Sequence, residues 1–402
     1  MKVIKKYTLW LLLGILTGII CGLCGSVFSI SVEFVTELRA QNQWILYLLP
    51  IGGLLSVGIY KLCKIKHVGT TTVFDCVRSE KNLPNLLTPA IFCGTCISHL
   101  FGASAGREGA ALQIGGGVAN VMSKLFKLDE DSRHITLMCG MAALFSAVFG
   151  TPLAACVFVL EVILTKLCLS AIIPVLLSSV TAFVIAQLLH IHPERFNIGA
   201  LPDLSFTLVW KSVIITIVCI IVAFIFCKGL HLSEKFAEKV LKNDWLRIAV
   251  GGIIVVMFTI LVGTRDYNGG GVNIIEQVFE GTVKYEAFAL KILFTIICVA
   301  CGYKGGEIIP TLFIGATLGG ALGTMLGLPI GIAAAVGMAV LFVCATKSPL
   351  ATILLCCEMF GFGCIVFIAP IVIISYLASH DLCGLYSNSK DIIKLIKSHK
   401  KA

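Results

Sequence analysis

The chain has 402 residues, 58% of them hydrophobic and only 13% charged, with a mean hydropathy of +0.99. A soluble domain carries roughly twice that charged fraction, so the composition excludes a soluble enzyme or binding module and leaves an all-α polytopic membrane protein. The net charge of +9 gathers at the ends of apolar runs with no interleaved aromatic and basic surface. It therefore reports orientation and contact with anionic lipid, and no nucleic acid is expected.

Apolar runs fall at about 8–31, 44–60, 86–101, 134–165, 171–190, 208–230, 247–263, 287–302, 308–327 and 331–380. Several exceed the ~20 residues of one span and the longest must hold two, which gives about ten to fourteen helices of unequal length. The first run is too long and too weakly terminated for a cleaved signal peptide, and is read as a span. Lys2, Lys5 and Lys6 precede it, and Lys61, Lys64 and Lys66 follow the second run. The positive-inside rule places both clusters in the cytoplasm. The basic tail "KDIIKLIKSHKKA" puts the C-terminus there too, in a multi-pass protein of the inner (cytoplasmic) membrane. Most cysteines (Cys139, Cys156, Cys168, Cys219, Cys344, Cys356, Cys357) lie inside apolar runs, where Cys behaves as a small hydrophobe. "CGLC", Cys21 to Cys24, falls within a span and has no second pair for zinc. No metal and no cofactor are expected.

The stretch "HLFGASAGREGAALQIGGG", His99 to Gly117, sets Arg107 beside Glu108 among glycines, alanines and apolar residues. Adjacent residues on a helix do not face each other, so a simple mutual salt bridge is not expected. The preceding glycines read as a loop, and "EGAALQIGGG" as a helix starting at Glu108. The unpaired N–H groups and partial positive charge of such a start attract anions. Glu108 then sets its carboxylate where a free anion would otherwise bind. Ionised, it blocks the site; protonated, it releases it, which makes a gate coupled to a proton. The competing reading is a buried acid that serves packing alone, although an intramembrane acid is a functional candidate by default. Arg107 has two readings, at the ion site or as a tie from the loop to backbone carbonyls. "GASAG", Gly102 to Gly106, also matches GxSxG, which would make Ser104 a hydrolase nucleophile. That motif needs a strand–turn–helix setting with His and acid partners, and no strand pattern precedes Gly102. The chain is read as a transporter rather than an enzyme.

The sequence repeats itself. "GMAALFSAVFGTPLAACVFVLE" from Gly140 returns 197 residues later as "GMAVLFVCATKSPLATILLCCE", and "GASAGREGAALQIG" returns 200 residues later as "GYKGGEIIPTLFIG". Two halves, 1–195 and 205–402, are built alike. Twinned halves with Gly- or Pro-interrupted apolar segments point to a transporter whose site lies near the membrane midplane. Breaks of this kind are tolerated only where backbone lines a cavity or is buried in protein. Glu161 and Glu358 close the two copies identically and read as structural. "DYNGGGVNIIEQ" reads as a connecting loop, without the βαβ setting of a phosphate fingerprint. Glu307, ahead of a helix with Pro310 in its first turn, reads either as a plain N-terminal acid or as a proton relay to Glu108.

These segments resemble the CLC family of anion channels and transporters. "GASAGREGAALQIG" is similar to its G-x-x-x-G-R-E-G segment, "GTPLAACVFVLE" and "KSPLATILLCCEMF" to its Pro-Leu-Ala helices, and "GLYSNSK" to the segment of its pore tyrosine, here Tyr386. The resemblance implies an inverted repeat of broken and tilted transmembrane helices. It also implies a homodimer with one pore per subunit and a gate at Glu108. No soluble regulatory domain is expected, since the chain stops soon after the last span. Four departures set it apart from chloride-handling members. "HVGTTTVFDCVRSEKNLP" stands in the G-S-G-I-P region, Ala110 in place of Pro, and Ile308 in place of Phe. Val162 follows Glu161 where a second acid is common.

All four departures lean towards the bacterial subclass that exchanges fluoride for protons, whose G-[YF]-K-G-G-E-x-T-P is similar to "GYKGGEIIP". Ile309 replaces that subclass's Thr, and "GTTT" replaces its Asn-containing stretch. Fluoride is small and strongly hydrated, so a dry pore must supply concentrated donors. Those expected are N–H groups at Gly109, Ala110, Ile308 and Ile309 and the hydroxyls of Thr70, Thr71 and Thr72. The edge of Phe74 and the Tyr386 hydroxyl complete the set. Each Thr is equally readable as a helix cap, and Tyr386 as an interfacial anchor. The expected partners are fluoride, protons and membrane lipid, with chloride the alternative anion.

Overall fold

The computed structural model describes residues 2–65, 69–78, 83–163, 168–200, 205–380, 382 and 384–386. Lys66 and the basic tail from 387 onward lie outside the described residues. The chain opens with α1 (Lys2–Gln41), a 3-10 turn (Gln43–Leu48) and α2 (Leu49–Leu62). There follow α3 (Thr70–Arg78), α4 (Leu87–Phe101), α5 (Glu108–Leu125), α6 (Glu130–Phe149), α7 (Pro152–Ile163) and α8 (Cys168–Leu188). Beyond the irregular segment 189–200 come α9 (Phe206–Val240), α10 (Asp244–Val262), α11 (Val272–Phe279) and α12 (Ala287–Cys301). The last four are α13 (Ile308–Leu326), α14 (Ile330–Thr346), α15 (Pro349–Phe360) and α16 (Ile365–Ala378). Among the described residues there is no strand, and 7 helical segments are long and apolar enough to cross a membrane.

The helices outnumber the apolar runs because glycine and proline cut the longest ones. The run 134–165 breaks at Gly150 between α6 and α7, and the run 331–380 holds α14, α15 and α16 rather than two helices. Hydropathy also hides α3 and α11, which are short and carry polar residues on one face. The stretch "DYNGGGVNIIEQ" is thus only half a loop: its glycines are, but Val272 begins α11.

Small residues set the packing. On α1, a Cβ at Gly14, Gly18 or Gly22 would come within 2.6, 2.7 and 3.0 Å of α8 atoms at Pro174, Ser178 and Ala182. The repeat has its own crossing, used twice. A Cβ at Gly115 of α5 would sit 2.1 Å from the Gly140 carbonyl of α6, and one at Gly337 of α14 would sit 2.1 Å from the Gly315 carbonyl of α13. Such stripes let helix backbones touch in a bilayer, where dispersion rather than hydrophobic burial holds helices together.

The two acids that close the repeated segments bind across the halves. The Glu161 carboxylate accepts from the N–H groups of Leu350 (3.0 Å) and Ala351 (2.8 Å) at the start of α15. Glu358 accepts from Leu153 (3.0 Å) and Ala154 (2.9 Å) at the start of α7. Each carboxylate satisfies donors that a helix cannot satisfy by itself. Replacing either glutamate with Ala removes two charge-assisted bonds and is expected to destabilise the protein by about 2–4 kcal/mol. Thermal unfolding of detergent-purified Glu161→Ala and Glu358→Ala checks this; an unchanged melting temperature in both would refute the capping role.

Candidate ion site

Two broken helices meet at the centre. α4 ends at Gly102 (φ 83) and α12 at Gly302 (φ 97), left-handed positions where a side chain would be strained. The loops that follow cross as one antiparallel bridge: the N–H of Gly106 donates to Gly306 O and the N–H of Gly306 to Gly106 O, both at 2.7 Å. From the crossing, α5 starts at Glu108 and α13 at Ile308. The first intrahelical bonds are donated by Ala111 to Arg107 and by Thr311 to Glu307. The N–H groups of Glu108, Gly109 and Ala110 therefore lie ahead of the α5 ladder, and those of Ile308 and Ile309 ahead of the α13 ladder. Pro310 has none to add. Both positive helix ends face one small region.

Glu108 lies within that region, 1% exposed, and among the described residues neither of its carboxylate oxygens has a hydrogen-bond partner. Its carboxylate folds back over Gly106, where a Cβ would be 2.6 Å from Oε2. Contrary to the expectation for adjacent residues, Arg107 does form an ion pair with it, Nε to Oε1 at 3.7 Å, because Arg107 stands just outside the helix that Glu108 begins, although the distance is beyond hydrogen-bond range. The guanidinium's hydrogen bond goes instead to Glu194 Oε1 at 3.0 Å. The backbone-carbonyl tie considered for Arg107 is thus replaced by a carboxylate from segment 189–200.

A cavity of about 1010 Å³ reaches this region from the end carrying Lys61 and Lys64. Thr70, Ala110, Gln113 and Glu307 stand on its wall, together with Lys304, Glu234 and Asp244. Glu307 thus opens on a polar vestibule, while Glu108 is sealed beyond it. Tyr386, 6% exposed, donates a long hydrogen bond to Glu307 Oε2 at 3.4 Å and meets Phe74 edge-to-face at 5.6 Å. Ile308 is fully buried, and Ile309 packs under the crossing with its Cβ 3.1 Å from where a Gly106 Cβ would sit.

The threonines divide. The Thr70 hydroxyl accepts from Gln113 Nε2 at 3.0 Å and points at Gly109 O at 3.5 Å, so it belongs to the start of α5. Thr71 is exposed in the vestibule. Thr72 Oγ1 accepts from the Gly69 N–H at 3.4 Å, the local cap anticipated for such a run. The Ser104 hydroxyl is fully buried against Thr295 Oγ1 at 3.0 Å, after a helix rather than a strand, which removes the nucleophile reading. Behind the crossing, Asn268 Nδ2 donates to Gly102 O at 3.1 Å and Gly269 N to Ala103 O at 3.1 Å. The fully buried Lys291 in turn donates to Gly269 O at 2.6 Å.

Two polar residues at the site escaped the sequence reading. Gln113 had a signal, a lone amide in an apolar helix start. Glu194 had none, being 87 residues from its partner.

A family profile described as voltage gated chloride channel matches residues 52–380. A chloride/fluoride channel protein of Pseudomonas syringae is 32% identical over 385 residues, covering 93% of this chain and 84% of the relative. An H+/Cl− exchange transporter of Vibrio campbellii is 25% identical over 382 residues, covering 87% and 81%. The crystal structure of a CLC-type fluoride/proton antiporter superposes with a TM-score of 0.89 at 30% identity, covering 94% of this chain and 97% of the other.

Proposed function

The chain belongs to the voltage gated chloride channel family, the CLC anion channels and transporters, and we propose that it is a proton-coupled antiporter that exports fluoride from the cytoplasm. It is a multi-pass membrane protein of a transporter family. The observation that carries the proposal is Glu108: a buried carboxylate without a hydrogen bond, set at a helix start where an anion would bind. An acid so placed alternates between filling the anion position and leaving it protonated. Glu307, on the vestibule wall and within reach of Tyr386, supplies the inner proton step. Val162 has no proton to give, and the Glu161 carboxylate is occupied at α15.

The anion is held by the N–H groups of Gly109, Ala110, Ile308 and Ile309, with the Thr70 hydroxyl, the Phe74 edge and Tyr386 around it. The fold is read as two inverted repeats, 1–195 and 205–402, in a homodimer of the inner membrane with both termini cytoplasmic and lipid around it. Similarity to the fluoride/proton antiporter structure at 30% identity supports fluoride over chloride. Chloride exchange is the second reading, favoured by Ile309, which brings a methyl-branched chain and no hydroxyl to the crossing.

The test uses purified protein in liposomes loaded with potassium fluoride or potassium chloride, with efflux read on an ion electrode and external pH recorded alongside. Fluoride efflux with stoichiometric proton counter-movement and weak chloride efflux is the expected result. Comparable chloride flux moves the protein to the chloride exchangers, and anion flux without protons makes it a channel.

A further inference from the structure

The Glu108 carboxylate is ion-paired with a cation that does not hydrogen-bond to it. Arg107 stands between two acids, with Nε 3.7 Å from Glu108 Oε1 and Nη2 donating to Glu194 Oε1 at 3.0 Å. The side chains of Arg107 and Glu194 are 18% and 15% exposed, so this pair is largely shielded. In that setting a charge-assisted hydrogen bond fixes geometry.

Segment 189–200, which carries Glu194, is itself pinned. Gln187 Nε2 donates to Ile191 O at 2.7 Å, and the Phe196 N–H to Met359 O at 3.1 Å. Pro193 lies so close to Gly150 that a Cβ there would come within 2.4 Å of it. The segment sits at the end of the molecule away from the vestibule. α9 follows it and carries Glu234 to the vestibule wall only near its far end, about 40 Å along at 1.5 Å per residue.

We infer that Glu194 is a positioning residue for the gate, drawing the Arg107 guanidinium outward so that Glu108 keeps a carboxylate free of hydrogen bonds and able to exchange a proton. The inference rests on reading Glu108 as the gate. Without Glu194 the guanidinium is free to turn and bond Glu108, which holds the ionised form in place and demands more acid for release. The other charged or titratable groups facing this set are His99 on α4 near Arg107, Glu276 on α11 near Glu194, and Tyr386 near Glu108. None of these takes the place of Glu194 at Arg107 Nη2.

The experiment measures fluoride efflux from liposomes as a function of pH for the wild type, Glu194→Gln and Glu194→Asp. In Glu194→Gln the half-maximal pH is expected to move acid by about one unit, so efflux near neutral pH falls up to about tenfold. The rate at the acid limit and the proton-to-fluoride ratio stay unchanged, and Glu194→Asp restores the wild-type profile. Glu194→Ser makes the same charge change with a smaller side chain and gives the same shift, guarding against a folding defect peculiar to the amide. An unshifted midpoint in Gln and Ser, or an equal loss at every pH, overturns the inference and leaves the gate standing. Wild-type efflux indifferent to pH overturns the gate and the inference together.

Discussion

Glu108→Gln protein is expected to lose proton counter-movement altogether while continuing to pass anion. The substitution keeps the shape of the side chain and removes its ability to titrate. The native carboxylate oxygens accept no hydrogen bond among the described residues, so the substitution breaks no native hydrogen bond, loses only the 3.7 Å ion pair with Arg107, and should leave the fold intact. The neutral amide stands in for the protonated, released carboxyl at every pH, so the position stays open regardless of pH. Fluoride-driven proton uptake should therefore fall to the background of protein-free vesicles, and efflux should flatten across the pH range. Parallel recordings from an ion electrode and a pH electrode decide the matter, and undiminished proton movement in this variant would falsify the gate.

The second large effect is at the crossing. A Cβ at Gly306 would lie 2.4 Å from the Gly109 nitrogen and 2.9 Å from the Gly109 Cα. Both are backbone atoms, which no rotamer change moves aside. In Gly306→Ala the two helix starts must part, breaking both 2.7 Å bonds of the bridge and spreading the N–H groups proposed to hold the anion. The expected destabilisation is about 3 kcal/mol, the upper end for an overpacked site, and transport should vanish in whatever protein still folds. Gly58→Ala in α2 is the control, because its Cβ would meet nothing nearer than 3.5 Å. Equal melting temperatures and equal efflux for the two variants would show that the crossing tolerates the methyl group.

The parts of this architecture legible in the sequence are those written locally. Glu108 and the glycines before it announce a broken helix within one short segment, and α5 does begin at Glu108. Gly115 matches Gly315 and Gly140 matches Gly337 in the sequence repeat, and the structure uses both pairs for the same close helix crossing, where backbone contact demands glycine at both positions. Helix number was less legible. Segments such as α14, α15 and α16 share one continuous apolar run, and hydropathy averages over their breaks. Contacts between distant segments were not legible at all. Arg107 was expected at the ion site or tied to backbone carbonyls, whereas its hydrogen bond is to Glu194, and no period or motif links those two positions. The three threonines look alike in sequence, and only their placement around Gly69 and Gly109 tells Thr70 from Thr72.

The exchanged carboxylates also bear on how the protein is made. The donors of Leu153 and Ala154 find their acceptor 205 and 204 residues further on, at Glu358. At translation rates of about 5–20 residues per second, the start of α7 waits roughly 10–40 s for its cap to emerge. During that interval the N–H groups of Leu153 and Ala154 lack their native acceptor. The start of α7 and the start of α15 each depend on an acid from the other helix, so fragments cut between α8 and α9 and expressed separately should be stable only when both are present in the same membrane.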